Sequence, residues 1–323
     1  MKIKLPNMNN PSNPNPQSWE RSVLEKVLLQ AYQEQRRARI WKLVWRLLWL
    51  VLVLSFVFAM VAGKNKGLAA AGKEHTAVIS LSGVINSDNN QAAVLRRGLE
   101  AAYKNGKVKG IIIRANSPGG SPVVSNIAFE EVRRLKAQHP KIPLYVVTED
   151  VCASGCYYIA SAADKIYADP SSIVGSIGVI GGGFDLTEMM DKIGVKRRLK
   201  IAGDNKGMGD PFTPETPEQA AIWQQMLDQI HAEFIKAVKL GRGDRLKEAA
   251  NPDLFSGRIY TGIEGKNVGL VDEMGNIYSV ARDVIKAPDL VDYTPNEDFS
   301  RVFGRRVGSG IQQGLQGLTD GWW

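Results

Sequence analysis

The sequence predicts an α/β domain with a helical C-terminal part, preceded by one transmembrane helix. Three observations predict it. From about residue 75 onward, short apolar runs alternate with amphipathic stretches, the pattern of successive β and α elements. Two of those apolar runs end in glycine-bearing turns, "NSPGGS" at 116–121 and "ASG" at 153–155. Near the N-terminus, 17 consecutive uncharged residues, "LLWLVLVLSFVFAMVAG" at 47–63, stand apart from everything else. With 44% hydrophobic residues in a chain of 323, there is enough apolar surface for a large core.

The first 40 residues read as a cytoplasmic tail. Its segment "PNMNNPSNPNP" at 6–16 is rich in Asn and Pro and is expected to be disordered. A charged helix from Ser18 to Arg39 leads into the span, placed at 41–63. At about 1.5 Å per residue, 17 residues are at the lower limit for a hydrocarbon core of roughly 30 Å. Flanking residues extend the span: Trp41, Trp45 and Trp49 share one helical face, and Lys42 and Arg46 can snorkel. A cleaved signal peptide is the competing reading, with "LAAAG" at 68–72 as a processing site. A 46-residue leading segment is far longer than such a peptide needs. Arg36, Arg37, Arg39, Lys42 and Arg46 all precede the span, so the N-terminus is expected to stay cytoplasmic and the rest to lie across the membrane.

After a linker at 64–74, the domain is placed at 75–295 and a C-terminal tail at 296–323. "TAVISLSGVI" reads as a strand, "QAAVLRRGLEAAYK" as an amphipathic helix, "VKGIIIRA" as a strand and "VSNIAFEEVRRLKAQ" as a helix. "IPLYVVT" is a buried strand, and "ASGCYYIASAA" begins the next helix. The short runs "KIYA" and "SIGVIG", a helix near "LTEMMDKIG" and a strand "VKRRLKIA" continue the alternation. A long helix follows from Thr216 to Leu240, and the remainder reads as more helical. No internal repeat is visible.

The formal net charge is +8, but residues 1–46 carry nine Lys and Arg against three Glu, so everything after them carries only +2. The basic balance belongs to the tail, and a nucleic-acid-binding face is excluded. No metal or nucleotide motif is present, so no cofactor is expected. The two cysteines, Cys152 and Cys156, are read as buried, reduced thiols, because a bridge over so short a loop into a helix start would be strained.

The chemistry-bearing candidates cluster at the strand ends. Gly119 and Gly120 would let the backbone turn sharply with N–H groups exposed, as an oxyanion hole requires. Ser154, at a helix N-terminus and followed by Gly155, can present its hydroxyl while the next N–H stabilises a developing oxyanion. Serine is also a favoured N-cap, so the base has to decide. His75, His139 and His231 each read as surface or helix-face residues, which leaves a Ser-His-Asp triad poorly supported. Tyr157 occupies the position that a Ser-x-x-Lys helix would need for its lysine. Lys206, in "GDNKGMGDPF", has no helical reason to be there, and Met208 and Phe212 could desolvate it. Asp204 and Asp210 would oppose its neutral form if close. Lys165, Lys192 and Lys200 remain as other bases.

"NSPGGS", "ASGCYYIASAADKIYADPSSIVGSIGV" and "GDNKGMGDPFTPETPEQ", in this order, resemble the bacterial signal peptide peptidase A family, serine peptidases of the Clp protease and crotonase-like superfamily. The resemblance covers roughly residues 75–290 and the short, single-repeat form; in the long form, serine and lysine lie on different repeats. It implies a spiral of ββα units with Ser154 as nucleophile and Lys206 as general base. It also places the oxyanion-hole turn at Gly119 and Gly120. Cys156 departs from the glycine found in many members. Further implications are a periplasmic domain anchored in the bacterial inner membrane, signal peptide fragments and other apolar peptides as substrates, and a ring-like homo-oligomer such as an octamer. The alternatives are a related membrane peptidase with another membrane protein as substrate, a crotonase-like acyl-CoA enzyme, and a non-catalytic scaffold.

Overall fold

The first three strands pair in parallel, each joined to the next by a helix that carries the chain back across the sheet. The computed structural model describes residues 24–29, 32, 35–37, 39–55 and 72–295. The order is β1 (His75–Ser82), α1 (Gln91–Lys104), β2 (Val108–Ser117), α2 (Pro122–Gln138), β3 (Leu144–Ala153), α3 (Gly155–Ala160), β4 (Lys165–Ala168) and β5 (Ile173–Gly175). Then come α4 (Thr187–Lys192), α5 (Pro217–Arg242), β6 (Ile259–Thr261), α6 (Gly262–Val268), β7 (Glu273–Met274), α7 (Ile277–Ser279) and β8 (Leu290–Asp292). Capping side chains explain the helix starts. Asn90 accepts from the Ala93 N–H, Ser121 accepts from the Val124 N–H ahead of Pro122, and Thr216 and Gln219 form a capping box around Pro217.

The sheet runs β6-β5-β3-β2-β1-β8, with β4 on β3 and β7 on β4; only β5 and β6 are antiparallel. Strand β3 divides its partners. Tyr145–Thr148 pair with β4, whereas Val151–Ala153 pair with β5. On its other side the register with β2 shifts between Ala115 and Ser117, so that Ala115 faces Thr148 and Ser117 faces Cys152. This irregularity bends β3 away from β4 and delivers its end to β5. Ser154 is the first residue beyond that bent end.

The main core lies on the face covered by α1, α2 and α3, where Ile79, Ile111, Ile113 and Leu144 meet Leu99 and Phe129. A smaller cluster on the other face joins Ile112, Val147 and Tyr167 to Ile277 and Val280. Helix α5 closes over the end of α3. A Cβ at Gly241 would collide with the Ser161 carbonyl oxygen, so this close approach requires glycine. Next to it the buried Arg242 donates from Nη1 to Asp272 at 2.6 Å and from Nε and Nη2 to the Gly269 carbonyl. A buried guanidinium is tolerated only when paired and bonded in this way.

Several expectations are corrected. Residues 195–202 form no strand; they are exposed, and no neighbouring edge pairs with them. The C-terminal part is mainly helical, as expected, but β6, β7 and β8 also add to the sheet. His75 is buried, its Nδ1–H donating to the Lys73 carbonyl and its Nε2 accepting from the Tyr293 hydroxyl. His139, only partly exposed, stacks on Tyr103 at 4.3 Å.

The chain divides into two units, Met1–Lys66 and Gly67–Trp323. In the first, residues 39–55 form an exposed helix. No helix among the described residues is long and apolar enough to cross a membrane. The span placed at 41–63 is described to Ser55; residues 56–63, the Asn- and Pro-rich segment at 6–16 and the tail at 296–323 lie outside the described residues.

Candidate active site

Ser154 adopts φ 52° and ψ −124°, a left-handed backbone conformation that serine avoids at a cost of about 1–3 kcal/mol. Its side chain makes no capping hydrogen bond to α3, so the ordinary reason for a serine at this place does not apply. The conformation is imposed by its surroundings. The Ser154 N–H donates to the Gly175 carbonyl of β5 at 2.8 Å, and its carbonyl accepts from the Tyr158 N–H at 2.9 Å.

The glycine turn after β2 packs directly against this serine. Gly119 has φ 98° and Gly120 φ 146°, and a Cβ at Gly119 would lie 2.8 Å from Ser154 Cβ and 2.7 Å from the Gly155 nitrogen. Gly120 is held by the bridge to Ile85, in which Ile85 N–H donates to the Gly119 carbonyl and Ser121 N–H donates to the Ile85 carbonyl, each at 2.8 Å. A Cβ at Gly155 would strike Ser125 Oγ and lie 3.3 Å from the Gly120 nitrogen. Ser125 is itself fixed by donating to the Ser121 carbonyl at 2.8 Å. The structure therefore brings Gly119, Gly120, Ser154 and Gly155 together.

The three glycine amides differ in availability. The Gly119 N–H donates to the buried Ser117 Oγ at 3.1 Å. Among the described residues, the N–H groups of Gly120 and Gly155 have no acceptor. Two open amides beside a serine hydroxyl can hold the oxygen of a carbonyl under attack.

Lys206 is not brought to Ser154 by any bond. It lies in an exposed run of turns, where its N–H donates to the Gly203 carbonyl at 3.0 Å, and its ammonium has no hydrogen bond or ion pair among the described residues. The surrounding segment is tied down by Asp210. Burial alone would raise the Asp210 carboxyl, but the Phe212 N–H, the Thr213 hydroxyl and the Arg197 guanidinium hold it below its usual range. Lys165, Lys192 and Lys200 are also exposed.

Cys152 and Cys156 are joined in a disulfide with Cα atoms 5.1 Å apart, which corrects the expectation of reduced thiols. The left-handed turn at Ser154 folds α3 back over the end of β3, so the distance is shorter than the sequence spacing suggests. One more residue escaped the sequence reading. Ser176 also has a positive φ, 51°, and follows Gly175, the acceptor for Ser154. His231, read as a helix-face residue, has its Nε2 3.0 Å from the Ile177 carbonyl and so braces the same segment from α5. A serine next to a glycine lies at the end of both strands, Ser154-Gly155 after β3 and Gly175-Ser176 at β5, and that was the available signal for Ser176. Beneath Ser154, burial pushes the Tyr157 hydroxyl well above its ordinary range, and it donates to the Leu270 carbonyl at 2.7 Å.

Residues 136–290 match peptidase family S49. The chain is 32% identical over 230 residues to "Putative protease MJ0651" of Methanocaldococcus jannaschii, covering 68% of this chain and 72% of that protein. It is 32% identical over 232 residues to Protease 4 of Haemophilus influenzae, covering 69% and 36%. A 46% identity over 184 residues links it to the Na(+)/H(+) antiporter NhaA of Brucella melitensis, covering 57% of this chain. The chain spans about a quarter (25%) of the length of that Brucella relative.

Proposed function

The chain belongs to peptidase family S49, and from that premise we propose that it is a membrane-anchored serine endopeptidase acting through Ser154 and Lys206. The observation that carries this reading is the uncapped, left-handed Ser154 beside the open amides of Gly120 and Gly155. In the proposed reaction the Lys206 amine takes the Ser154 proton as Oγ attacks a peptide carbonyl. The resulting oxyanion sits between the two amides, with Gly119 supplying the turn rather than a donor. The lysine then returns the proton to the leaving amine and activates the water that hydrolyses the acyl-enzyme.

Lys206 is exposed and unbonded to Ser154, which supports a dyad completed between copies of this chain in a homo-oligomer. Exposed Ile180, Phe184, Ile193, Val195 and Ile201 in the same part of the chain suit burial against a second copy. The apolar run before residue 64 and its preceding cationic residues support a membrane anchor with the catalytic domain outside the cytoplasm. A disulfide also suits an oxidising compartment. Signal peptide fragments left at the membrane are the proposed substrates, since a tether concentrates the site near apolar peptides.

A serine-directed fluorophosphonate should label the protein on Ser154, and Ser154→Ala should abolish labelling. Mixing Ser154→Ala with Lys206→Ala protein should restore part of the activity that each lacks. Labelling that survives Ser154→Ala would overturn the assignment, and mass spectrometry of products from a mixture of signal peptides and membrane proteins tests the substrate class.

A further inference from the structure

The Cys152–Cys156 bridge encloses only Ala153, Ser154 and Gly155, the turn that carries the nucleophile. We propose that it is a covalent clamp holding Ser154 in its reactive backbone conformation, which makes the two cysteines positioning residues whose oxidation state sets the rate of the serine. The proposal rests on the reading of Ser154 as the nucleophile.

Both ends of the clamp are anchored. Cys152 is wholly buried in β3, in register with Ser117 of β2 on one side and Val174 of β5 on the other. Ser117 is the residue that holds the Gly119 N–H, so this end of the bridge is continuous with the glycine turn. Cys156 is equally buried, in the first turn of α3. Between them the backbone of Ser154 is tied by only two hydrogen bonds, to the Gly175 carbonyl and from the Tyr158 N–H.

That turn has a competing conformation. A serine before a helix ordinarily takes an extended backbone and folds its hydroxyl onto the amides of the first turn as an N-cap. Here it does neither: its φ is 52° and its hydroxyl is uncapped. The extended alternative would occupy the hydroxyl and swing the Gly155 amide away from Gly120. It would also lengthen the path from Cys152 to Cys156, whose Cα atoms now lie 5.1 Å apart, while a disulfide reaches no further than about 7 Å. The bridge therefore favours the compact, reactive turn over the longer, capped one.

Release requires a thiol reductant, here a dithiol. One of its thiolates attacks a half-cystine sulfur and breaks the protein S–S bond. Its second thiol then closes the reductant's own disulfide, leaving two electrons and two protons on the protein as two thiols. Burial of both sulfurs means that exchange follows opening of the first turn of α3.

The test uses the full chain in detergent, purified without reductant, with thiols counted by alkylation and intact mass. The rate of fluorophosphonate labelling is measured with and without dithiothreitol, for the wild type and for the Cys152→Ala/Cys156→Ala double variant. Oxidised wild type should label on the order of ten- to a hundredfold faster than reduced wild type or the double variant, the scale expected when a reacting group loses its alignment. The double variant should be indifferent to dithiothreitol. With a peptide substrate, kcat should fall with the labelling rate constant while KM stays within about twofold; a general loss of folded protein would lower apparent kcat but leave the labelling rate constant of the remaining active molecules unchanged. If the buried bridge resists the reductant, the double variant reads the effect; if that variant fails to fold, reduction of the wild type does. Equal labelling rates with and without the bridge, or two free thiols in the protein as purified, would overturn the clamp. Labelling that persists in Ser154→Ala would instead sink the nucleophile assignment.

Discussion

The turn at Ser154 and the turns around Lys206 are held in opposite ways. Around Ser154 nearly every neighbour is buried: β3 and β5 pair up to Ala153 and Gly175, Gly119 touches the serine, and a disulfide spans the turn. Around Lys206 the chain is exposed and held by local contacts, including Met208 N–H to the Asn205 carbonyl, Asp210 N–H to the Gly207 carbonyl, and the Arg197–Asp210 ion pair at 3.3 Å. The proposed nucleophile and the open amides are preorganised within one chain. The proposed base is on a segment several of whose apolar side chains, Ile193, Val195 and Ile201 among them, face solvent.

The largest expected effect tests whether these unlike regions act as one unit. Ser154→Ala and Lys206→Ala should each lower turnover by about 10⁴-fold or more, and the double variant should lose little beyond either, because residues of one catalytic unit are strongly non-additive. Lys206→Arg should fail as well, since a guanidinium stays protonated and cannot accept the serine proton. Near-normal steady-state turnover by Lys206→Ala would separate the two regions and return Lys165, Lys192 and Lys200 to consideration.

A smaller effect should come from the rigid region alone. In Gly155→Ala the new methyl group meets Ser125 Oγ, and relief of that contact displaces the amide facing Gly120. Loss of one oxyanion donor costs about 10²–10³-fold in kcat. Combining Gly155→Ala with Ser125→Ala removes the obstructing hydroxyl and should recover part of kcat. If the double variant is no faster than Gly155→Ala, the displacement of the amide has another cause.

The same contrast explains what could be read in the sequence. Helix α1 was legible at 91–104 because its apolar period and the Asn90 cap coincide. The two glycine turns were legible as neighbours of strands, though their meeting at Ser154 follows from the bend in β3, which only the pairing with β4 and β5 creates. The disulfide was misread because spacing carries no information about a positive φ between the cysteines. Strands β6, β7 and β8 have three, two and three residues, too few for a period to register; their pairing with the sheet makes them strands. "VKRRLKIA" failed for the converse reason: it alternates like a strand, but among the described residues it pairs with no other strand.

The smallest expected effect concerns the looser region and its response to acid. Asp210 is held below the usual carboxylate range against an opposing burial effect, by the Phe212 N–H, the Thr213 hydroxyl and Arg197. A carboxyl whose folded-state pKa is depressed contributes its stabilisation above the unfolded value and loses it as pH falls through the folded one. Order around Lys206 should therefore be maintained at neutral pH and decline below the ordinary carboxylate range. Asp210 is close to the surface, so solvent screens the interaction and the change should be local rather than a global unfolding. Limited proteolysis by an acid-active protease, followed by mass spectrometry, should show cleavage within 194–216 increasing as the pH is lowered, while 144–160 stays protected. Asp210→Asn should be more susceptible in 194–216 already at neutral pH, with a weaker further response to acid. Equal protection of 194–216 in both proteins across the pH range would show that the segment is held by something other than this carboxylate, with the packing of Gly209 near Trp223, whose ring an added Cβ would meet at 3.2 Å, the first to test.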